Sequence, residues 1–295
     1  MAEHFAQPPN WEWYIAFYFY LAGLAGGCYT LATILRTRGT PDDLTIARTG
    51  YLLTFPLLVV CGILLTIDLG QPLRFWHMMI DTTPGEAGLN FKYWSPISLG
   101  TWALLLFSLV SFVSFLEAWR GGFRLPAWFL WIGTALALFL ASYTGVVLSV
   151  SNEPLWSDSW AIGGLFVASA LSASAALLAW KAASRGAVTT EPRMRLADGY
   201  FALLELLMIA IFFVTLASAG TLGRTLSGVW LVLWVLVLLS LVPPLLALRA
   251  RPVAVDAGGH TAAGSAIGFT NVAVAVAVLV GVLLMRIVVI FSAQY

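Results

Sequence analysis

The stretch Leu231-Val-Leu-Trp-Val-Leu-Val-Leu-Leu239 carries an apolar side chain at every position. A strand of a membrane β-barrel alternates apolar residues that face lipid with polar residues that face the lumen, over roughly ten residues. This stretch has no such alternation, so it does not fit a barrel strand. A helix that is apolar on all sides is typical of a membrane span. The stretch therefore predicts a transmembrane helix in an all-α membrane protein.

Eight apolar runs are long enough to cross the hydrocarbon core of a bilayer, which takes roughly 20 helical residues. Of the 295 residues, 60% are hydrophobic and 10% are charged, which lies outside the range of soluble globular domains. We therefore predict a single integral membrane domain over residues 1–295 with eight transmembrane helices. The predicted helices span residues 13–35, 47–69, 94–119, 126–150, 160–183, 196–219, 225–248 and 267–291.

Basic residues are concentrated at one end of the predicted bundle. That end has Arg36, Arg38, Arg48, Arg120, Arg124, Lys181, Arg185, Arg193, Arg195, Arg249 and Arg251. The opposite end has Arg74, Lys92 and Arg224. Because cytoplasmic loops carry the excess of Lys and Arg, we expect the first group to face the cytoplasm of a bacterium or archaeon. With an even number of spans, both termini are then expected on the outer, periplasmic side of the cytoplasmic membrane.

Three further features argue against a removable signal peptide, a nucleic-acid partner and reactive cysteines. The first ten residues lack Lys and Arg, and no small-residue cleavage site follows the first apolar run, so we expect this helix to remain in the mature protein. The net charge of +1 gives no basis for binding nucleic acid. Cys28 and Cys61 fall within predicted helices, where we interpret them as small core residues.

Ionisable residues within the predicted spans are the first candidates for function, because such groups are costly in a membrane unless they are paired or hydrated. Asp68 lies at the outer end of the second predicted helix, Glu205 near the middle of the sixth, and Arg286 in the outer third of the last. The connection that follows Asp68 adds donors, acceptors and aromatic rings that suit a docked partner or the rim of a pocket. An ordinary interfacial loop is the alternative.

Tyrosines occur at a similar depth. Tyr143 falls in the outer third of the fourth predicted helix, and Tyr14 and Tyr18 share one face of the first because they are four residues apart. We expect a quinone site in the outer leaflet, where an apolar slot admits the tail, a Tyr or His contacts a ring carbonyl, and a carboxylate exchanges protons. The residues expected to converge there are Tyr18, Asp68, His77, Tyr143 and Arg286, and Tyr14 is a further expected quinone contact.

A purely structural role is the alternative for the charged residues. Asp68 would then cap its helix or pair with Arg74, and Arg286 would neutralise a carboxylate or extend towards the surface.

The histidines argue against haem. A bis-histidine haem site needs two histidines facing each other inside the bundle, whereas His4, His77 and His260 all fall outside the predicted helices. The same distribution argues against an intramembrane metal site, and two isolated cysteines cannot hold an iron–sulfur cluster by themselves. We therefore expect neither haem nor a metal bound by this chain.

Taken in order, several motifs of this chain resemble the NrfD-like, or polysulfide-reductase-type, membrane subunits of iron–sulfur molybdoenzyme complexes. The resemblance covers most of the chain, and Asp68-Leu-Gly-Gln-Pro-Leu-Arg74-Phe is its most specific part. The other matching segments are Trp11-Glu-Trp-Tyr14, Leu21-Ala-Gly-Leu-Ala-Gly-Gly27, Trp94-Ser-Pro-Ile-Ser-Leu-Gly100, Tyr143-Thr-Gly-Val-Val-Leu148, Pro154-Leu-Trp156, Leu204-Glu205-Leu206 and Gly281-Val-Leu-Leu-Met-Arg286.

This resemblance implies an eight-helix, haem-free subunit of the respiratory chain that oxidises or reduces menaquinone or ubiquinone near the outer face. It also implies a four-cluster ferredoxin-like iron–sulfur partner, which serves a molybdenum or tungsten catalytic subunit or a cytochrome subunit. Carried over by position, Tyr143 would contact the quinone, Asp68 and Arg74 would form the rim, and Glu205 and Arg286 would belong to a proton route. Some relatives have an Asn and a His on the first helix, where this chain has Glu12, Tyr14, Tyr18 and Tyr20.

Two other functions remain open from the sequence. A secondary transporter would place Glu205 and Arg286 on a solute path and would show broken helices at corresponding positions of two repeats. The chain offers only Pro56 and the Pro243-Pro244 pair for such breaks. A passive membrane anchor would hold soluble partners without binding quinone.

Overall fold

The computed structural model describes residues 11–82, 88–249 and 266–294. Within these residues, eight helices have the length and the apolar composition to cross a membrane, which confirms the prediction of a helical membrane protein. The helices are α1 Trp13–Arg38, α2 Pro41–Asp68, α3 Pro96–Trp119, α4 Ala127–Ser149, α5 Ile162–Ser184, α6 Thr190–Ala219, the short α7 Leu222–Thr225, α8 Gly228–Ala247 and α9 Ala266–Phe291.

Two of the helices begin well before their apolar runs. The predicted starts at residues 47 and 196 were wrong, because α2 begins at Pro41 and α6 begins at Thr190. The Thr40 side chain accepts a hydrogen bond from the backbone N–H of Asp43 at 3.2 Å, so it caps α2 ahead of the membrane span. In α6, an ion pair of 2.5 Å between Arg195 and Glu191 lies within the polar first turns. Polar residues thus extend both helices beyond the apolar segment.

The helices run alternately up and down, and side-chain contacts identify which ends lie together. The start of α1 and the residues after α9 meet where the Trp11 backbone N–H donates to Gln294 Oε1 at 2.8 Å. We call this end, which also holds the end of α2, the Asp68 end. At the opposite end, Asp43 Oδ1 accepts from Thr190 Oγ1 at 2.7 Å. We call that end the basic end.

Helices α1 and α5 form the centre of the bundle, whereas most residues of α2, α3, α6 and α8 are only partly buried or exposed. Small residues allow this close packing. A Cβ atom at Gly26 would lie 2.7 Å from the Ala137 carbonyl oxygen of α4, and one at Gly27 would lie 2.6 Å from the Ala170 carbonyl oxygen of α5. Glycine therefore lets the backbones approach to distances that a side chain would prevent.

The connection between α2 and α3 covers part of the Asp68 end. It contains a 3₁₀ helix, Pro72–Met78, and two short antiparallel strands, β1 Ile80–Asp81 and β2 Gly88–Leu89, in which Ile80 lies opposite Leu89. Several aromatic side chains of this connection are exposed. They are Phe75, Trp76, Phe91, Tyr93 and Trp94.

Candidate functional site

A large, mainly apolar cavity lies between α1, α2, α3 and α4 at the Asp68 end. Its volume is about 850 Å³. We call it the α1–α4 cavity. Its lining includes Trp11, Ile15, Tyr18, Phe19, Leu58, Gly62, Leu65, Thr66, Asp68, Phe75, Met78, Ile97, Gly100, Thr101, Leu104, Tyr143 and Val147. The structure thus brings together Tyr18, Asp68 and Tyr143 of the residues expected to converge.

Tyr18 lines this cavity, and its hydroxyl group has no partner in the described part of the chain. Its side chain is buried in the first turns of α1, and its ring packs 5.4 Å from that of Phe19. Among the described residues, no group makes a hydrogen bond to the Tyr18 hydroxyl, whereas the Tyr18 carbonyl oxygen accepts one from Cys61 Sγ at 3.8 Å. Buried hydroxyl groups normally have a partner. The Tyr18 hydroxyl is therefore available to a ligand.

Tyr143 already uses its hydroxyl group to join two helices. The hydroxyl donates to the Pro96 carbonyl oxygen in the first turn of α3 at 2.7 Å. The ring lies so close to Gly100 that any side chain there would overlap it. Because its proton is engaged, Tyr143 can offer a ligand a lone pair of its oxygen. It can donate only after leaving Pro96.

Asp68 is the last residue of α2, and its side chain lines the cavity. A carboxylate at the C-terminal end of a helix is unfavourable, because the helix dipole is negative there. The structural alternative was a helix cap or an ion pair with Arg74. No such pair is found in the described part of the chain, and Arg74 is exposed. Neither stabilisation of the helix end nor pairing with Arg74 thus explains why an aspartate occupies position 68.

The other expected quinone contacts lie outside the cavity lining. Tyr14 is half-buried beside Trp13, with ring centroids 5.5 Å apart. His77 lies in the 3₁₀ helix, where its ring stacks on Trp76 at 3.7 Å and its Nδ1 is 3.3 Å from the Arg74 carbonyl oxygen. Of the described residues, Tyr14, Arg74 and His77 form no direct wall of the α1–α4 cavity.

Arg286 is completely buried between α1, α5 and α9, on the far side of α1 from the cavity. Its Nη1 donates to Ser169 Oγ at 2.9 Å, its Nη2 to the Phe166 carbonyl oxygen at 3.0 Å, and its Nε to the Phe19 carbonyl oxygen at 3.4 Å. The guanidinium also lies 4.4 Å above the Phe166 ring. Arg286 therefore does not extend towards the surface, and its hydrogen bond to Phe19 joins it to a residue of the cavity lining.

Glu205 is buried in α6 without a complete set of partners. Its side chain is 1% exposed, and its Oε2 has no hydrogen-bond partner within the described ranges. The charges of Arg286 and Asp198 lie close enough to interact with it. A buried carboxylate oxygen that lacks a partner is unfavourable unless water or a proton occupies the position.

Asp198 continues this line of polar groups towards the basic end. It lies two helical turns before Glu205 on the same face of α6, and it accepts a hydrogen bond from Ser172 Oγ at 2.7 Å. A second cavity of about 60 Å³ reaches it, lined also by Trp180, Arg195 and Pro243. We call Asp198, Glu205 and Arg286 the buried polar column.

Metal ligation finds no support in the part of the chain that the structure describes. No group of three or more His, Cys, Asp and Glu side chains there is arranged to hold a metal ion. Two of the three histidines, His4 and His260, lie outside the described residues.

Comparison with known families shows to which family this chain belongs. The family model described as polysulphide reductase, NrfD, matches residues 2–295, which is nearly the whole chain. The chain belongs to the NrfD family. This confirms the resemblance carried by the sequence motifs, of which Tyr143 and the Asp68 run contribute directly to the α1–α4 cavity.

Curated relatives of this NrfD-family protein include components of reductases. It is 29% identical to a component of the polysulfide reductase of Wolinella succinogenes over 185 residues, which is 55% of both proteins. It is 26% identical to protein NrfD of Escherichia coli over 194 residues, 57% of this protein and 58% of the relative. It is 26% identical to a component of the selenate reductase of Mesobacillus selenatarsenatis over 110 residues, 37% of this protein and 23% of the relative. The match thus spans little more than half the length of the first two relatives.

Sequence reasoning about this NrfD-family protein missed Asp198 and Gly62. Asp198 stands seven residues before Glu205, and this spacing could have indicated a second carboxylate on the same helical face. Gly62 carried no signal in the sequence, because a glycine that faces an open cavity and a glycine that packs against a helix look the same.

Proposed function

We propose that the protein is the haem-free membrane subunit of a quinone-linked respiratory oxidoreductase. It binds menaquinone or ubiquinone in the α1–α4 cavity and passes electrons between the quinone pool and an iron–sulfur partner. The observation that carries this proposal is one apolar cavity with a free tyrosine hydroxyl, a bonded tyrosine hydroxyl and a carboxylate in its wall: Tyr18, Tyr143 and Asp68.

The size and chemistry of the cavity suit a quinone. Its volume of about 850 Å³ lies within the range of small-molecule sites, and apolar side chains make up most of its wall. Reduction of a quinone to a quinol consumes two electrons and two protons. Tyr18 donates a hydrogen bond to one ring carbonyl, and Asp68, whose side chain is exposed at the end of α2, exchanges protons with solvent. The electrons come from, or go to, the partner.

The proposed orientation places the Asp68 end on the periplasmic side of the cytoplasmic membrane. It follows from the excess of Lys and Arg at the basic end. The partner then docks on the exposed aromatic side chains between α2 and α3. Two relatives bear the names of a polysulfide reductase and a selenate reductase, which supports a partner from an oxidoreductase. A four-cluster ferredoxin-like protein, joined to a molybdenum or tungsten subunit or to a cytochrome subunit, fits this role.

The two alternatives account less well for these features. A passive anchor gives no reason for a cavity of this size with a carboxylate and a tyrosine hydroxyl in its wall. A transporter with broken helices needs interrupted spans. Both helices with internal prolines run without interruption, α2 through Pro56 and α8 through Pro243 and Pro244.

The test is quinone turnover by the purified complex. We expect bound quinone to be extracted with the complex, Asp68→Asn to lower the rate roughly 100-fold through lost proton exchange, and Tyr18→Phe to lower it roughly tenfold through one lost hydrogen bond. Tyr143→Phe is also expected to impair turnover. Tyr200→Phe is the matched control, because Tyr200 is exposed on α6 and outside the cavity lining. If the complex assembles without bound quinone and none of these substitutions changes its activity, the protein is a passive anchor and the proposed function is wrong.

A proton route through the buried polar column is the second part of the proposal. The observation that supports it is the Oε2 of Glu205, which has no hydrogen-bond partner among the described residues and interacts with the charges of Arg286 and Asp198. The small cavity beside Asp198 has room for a few water molecules, since one needs roughly 10–15 Å³. In proteoliposomes, Glu205→Gln should abolish quinone-coupled proton movement while electron transfer continues. Proton movement at the normal ratio in this variant would exclude the route.

A further inference from the structure

The wall that α2 contributes to the α1–α4 cavity contains a glycine that helix packing does not explain. At Gly50, also in α2, a Cβ atom would lie 2.8 Å from Ala32 Cβ, so that position must be small. At Gly62, no heavy atom of the described chain lies within 4 Å of the place where a Cβ would be. Glycine weakens a helix relative to alanine. No packing contact in the described chain therefore compensates for the cost of a glycine at position 62.

Gly62 faces the cavity and not a neighbouring helix. It belongs to the cavity lining, as do Leu58 and Leu65 on the same side of α2. It precedes Asp68 by six residues, which places it roughly 9 Å further into the membrane along the helix. A side chain at this position would project into the inner part of the cavity, away from the carboxylate.

The cavity is open on one flank, between α2 and α3. Val59 and Ile63 of α2 and Ile97 of α3 line it, yet they are 46%, 53% and 62% exposed. These helices have the composition of membrane spans, so the opening faces the hydrocarbon core of the bilayer. A ligand can therefore extend from the cavity into lipid without crossing the Asp68 end.

The surface of this opening is apolar even where hydroxyl groups occur. Thr66 Oγ1 donates to the Gly62 carbonyl oxygen at 2.7 Å, and Thr101 Oγ1 donates to the Ile97 carbonyl oxygen at 2.9 Å. Both hydroxyl groups are thus satisfied within their own helices and compete little for a ligand. The opening suits a hydrocarbon chain and not a polar solute.

We propose that Gly62 keeps open a side passage between α2 and α3 through which the isoprenoid tail of the quinone leaves the α1–α4 cavity. The inference rests on the proposed function, since it concerns the tail of the same ligand. Gly62 is then a determinant of specificity for long-tailed quinones. The ring remains beside Tyr18 and Asp68, and a larger residue at position 62 obstructs the tail alone.

The experiment compares two quinols, or two quinones, that share a ring and differ in tail length. In the intact complex, Gly62→Leu should raise the KM for the long-tailed compound roughly tenfold and leave the KM for a short-tailed, water-soluble analogue unchanged. Gly62→Ala should act in the same direction and more weakly, and it remains informative if the leucine variant does not assemble. Gly223→Leu is the control, because a Cβ there also meets no described atom and Gly223 is outside the cavity lining.

The outcomes separate this inference from the function on which it rests. If the unmodified complex turns over neither compound, the proposed function fails before any variant is compared. If it turns over both, an equal rise in KM for the two compounds, or no rise for the long-tailed one in any assembled Gly62 variant, overturns the passage.

Discussion

Arg286 and Phe19 are joined by a hydrogen bond of 3.4 Å from the guanidinium Nε to the carbonyl oxygen, and Phe19 forms part of the wall of the α1–α4 cavity. A fully buried positive charge therefore lies directly behind the proposed quinone site. Its three hydrogen bonds hold α9 against α1 and α5. The position of the cavity wall and the charge balance of the polar column thus depend on the same side chain.

Replacing this arginine should destabilise the protein strongly. Arg286→Met removes the donors to Phe166, Ser169 and Phe19, and it also removes a positive charge that interacts with Glu205. Each buried acceptor left without its donor costs about 1–3 kcal/mol. We expect a clearly lower thermal unfolding midpoint of the detergent-solubilised protein. A variant as stable as the original would show that these contacts contribute little to the fold.

Arg286 and Glu205 should also depend on each other energetically. If the Glu205 carboxylate lowers the unfolding free energy once the arginine is lost, adding Glu205→Gln to Arg286→Met should recover part of the lost stability. A double-mutant cycle on unfolding free energies measures this coupling, which lies in the range of about 0.5–3 kcal/mol for interacting residues. Strict additivity would indicate that the two charges do not interact across the α6–α9 region.

The depth of the site residues could be predicted from the sequence, but their rotation about the helix axes could not. Counting from the helix ends placed Tyr18, Asp68, Tyr143 and Arg286 at similar depths. Arg286 nevertheless lies behind α1, because its own helix packs against the far side of that helix. Which face a buried helix presents to each neighbour depends on side-chain packing over the whole bundle, and an apolar run does not record it.

Helix ends and small residues also include features that the sequence predicts and features that only the tertiary structure decides. The cap at Thr40 followed by Pro41 was readable in the sequence, although the length of the apolar run alone placed the start of α2 too late. Gly27 and Gly62, by contrast, differ only in what lies opposite them, and that is decided by the tertiary structure.

Substitutions of the two cavity tyrosines should differ in their effect on the stability of the protein. Tyr143→Phe removes the hydrogen bond to Pro96 that joins α4 to α3, and we expect it to lower the unfolding free energy by about 0.5–1.5 kcal/mol. Tyr18→Phe removes a hydroxyl that has no partner in the described chain, so stability should be unchanged while quinone turnover falls. Thermal unfolding and turnover measured on both variants test this. A large loss of stability in Tyr18→Phe would contradict a free hydroxyl.

At the basic end, Glu117 should be important for stability and irrelevant to quinone binding. It forms an ion pair of 2.6 Å with Arg36 and accepts hydrogen bonds from the backbone N–H groups of Arg124 and Leu125. Glu117→Ala leaves these donors without their acceptor, which should cost about 1–3 kcal/mol. The KM for quinone should be unchanged in the protein that assembles. A change in that KM would reveal coupling between the two ends of the bundle.

Two glycines should respond in opposite directions to the same added methyl group. At Gly27, a Cβ would lie 2.6 Å from the Ala170 carbonyl oxygen and would also collide with Ser174, so Gly27→Ala forces α1 away from α5 and should cost about 1–3 kcal/mol. At Gly62, the methyl group meets no described atom, and alanine restricts the unfolded chain, so Gly62→Ala should add about 0.4–1 kcal/mol. Unfolding midpoints of the two variants provide the comparison. Destabilisation by Gly62→Ala of the size expected for Gly27→Ala would mean that this wall of α2 is packed and not open, and the side passage would then be excluded together with the prediction.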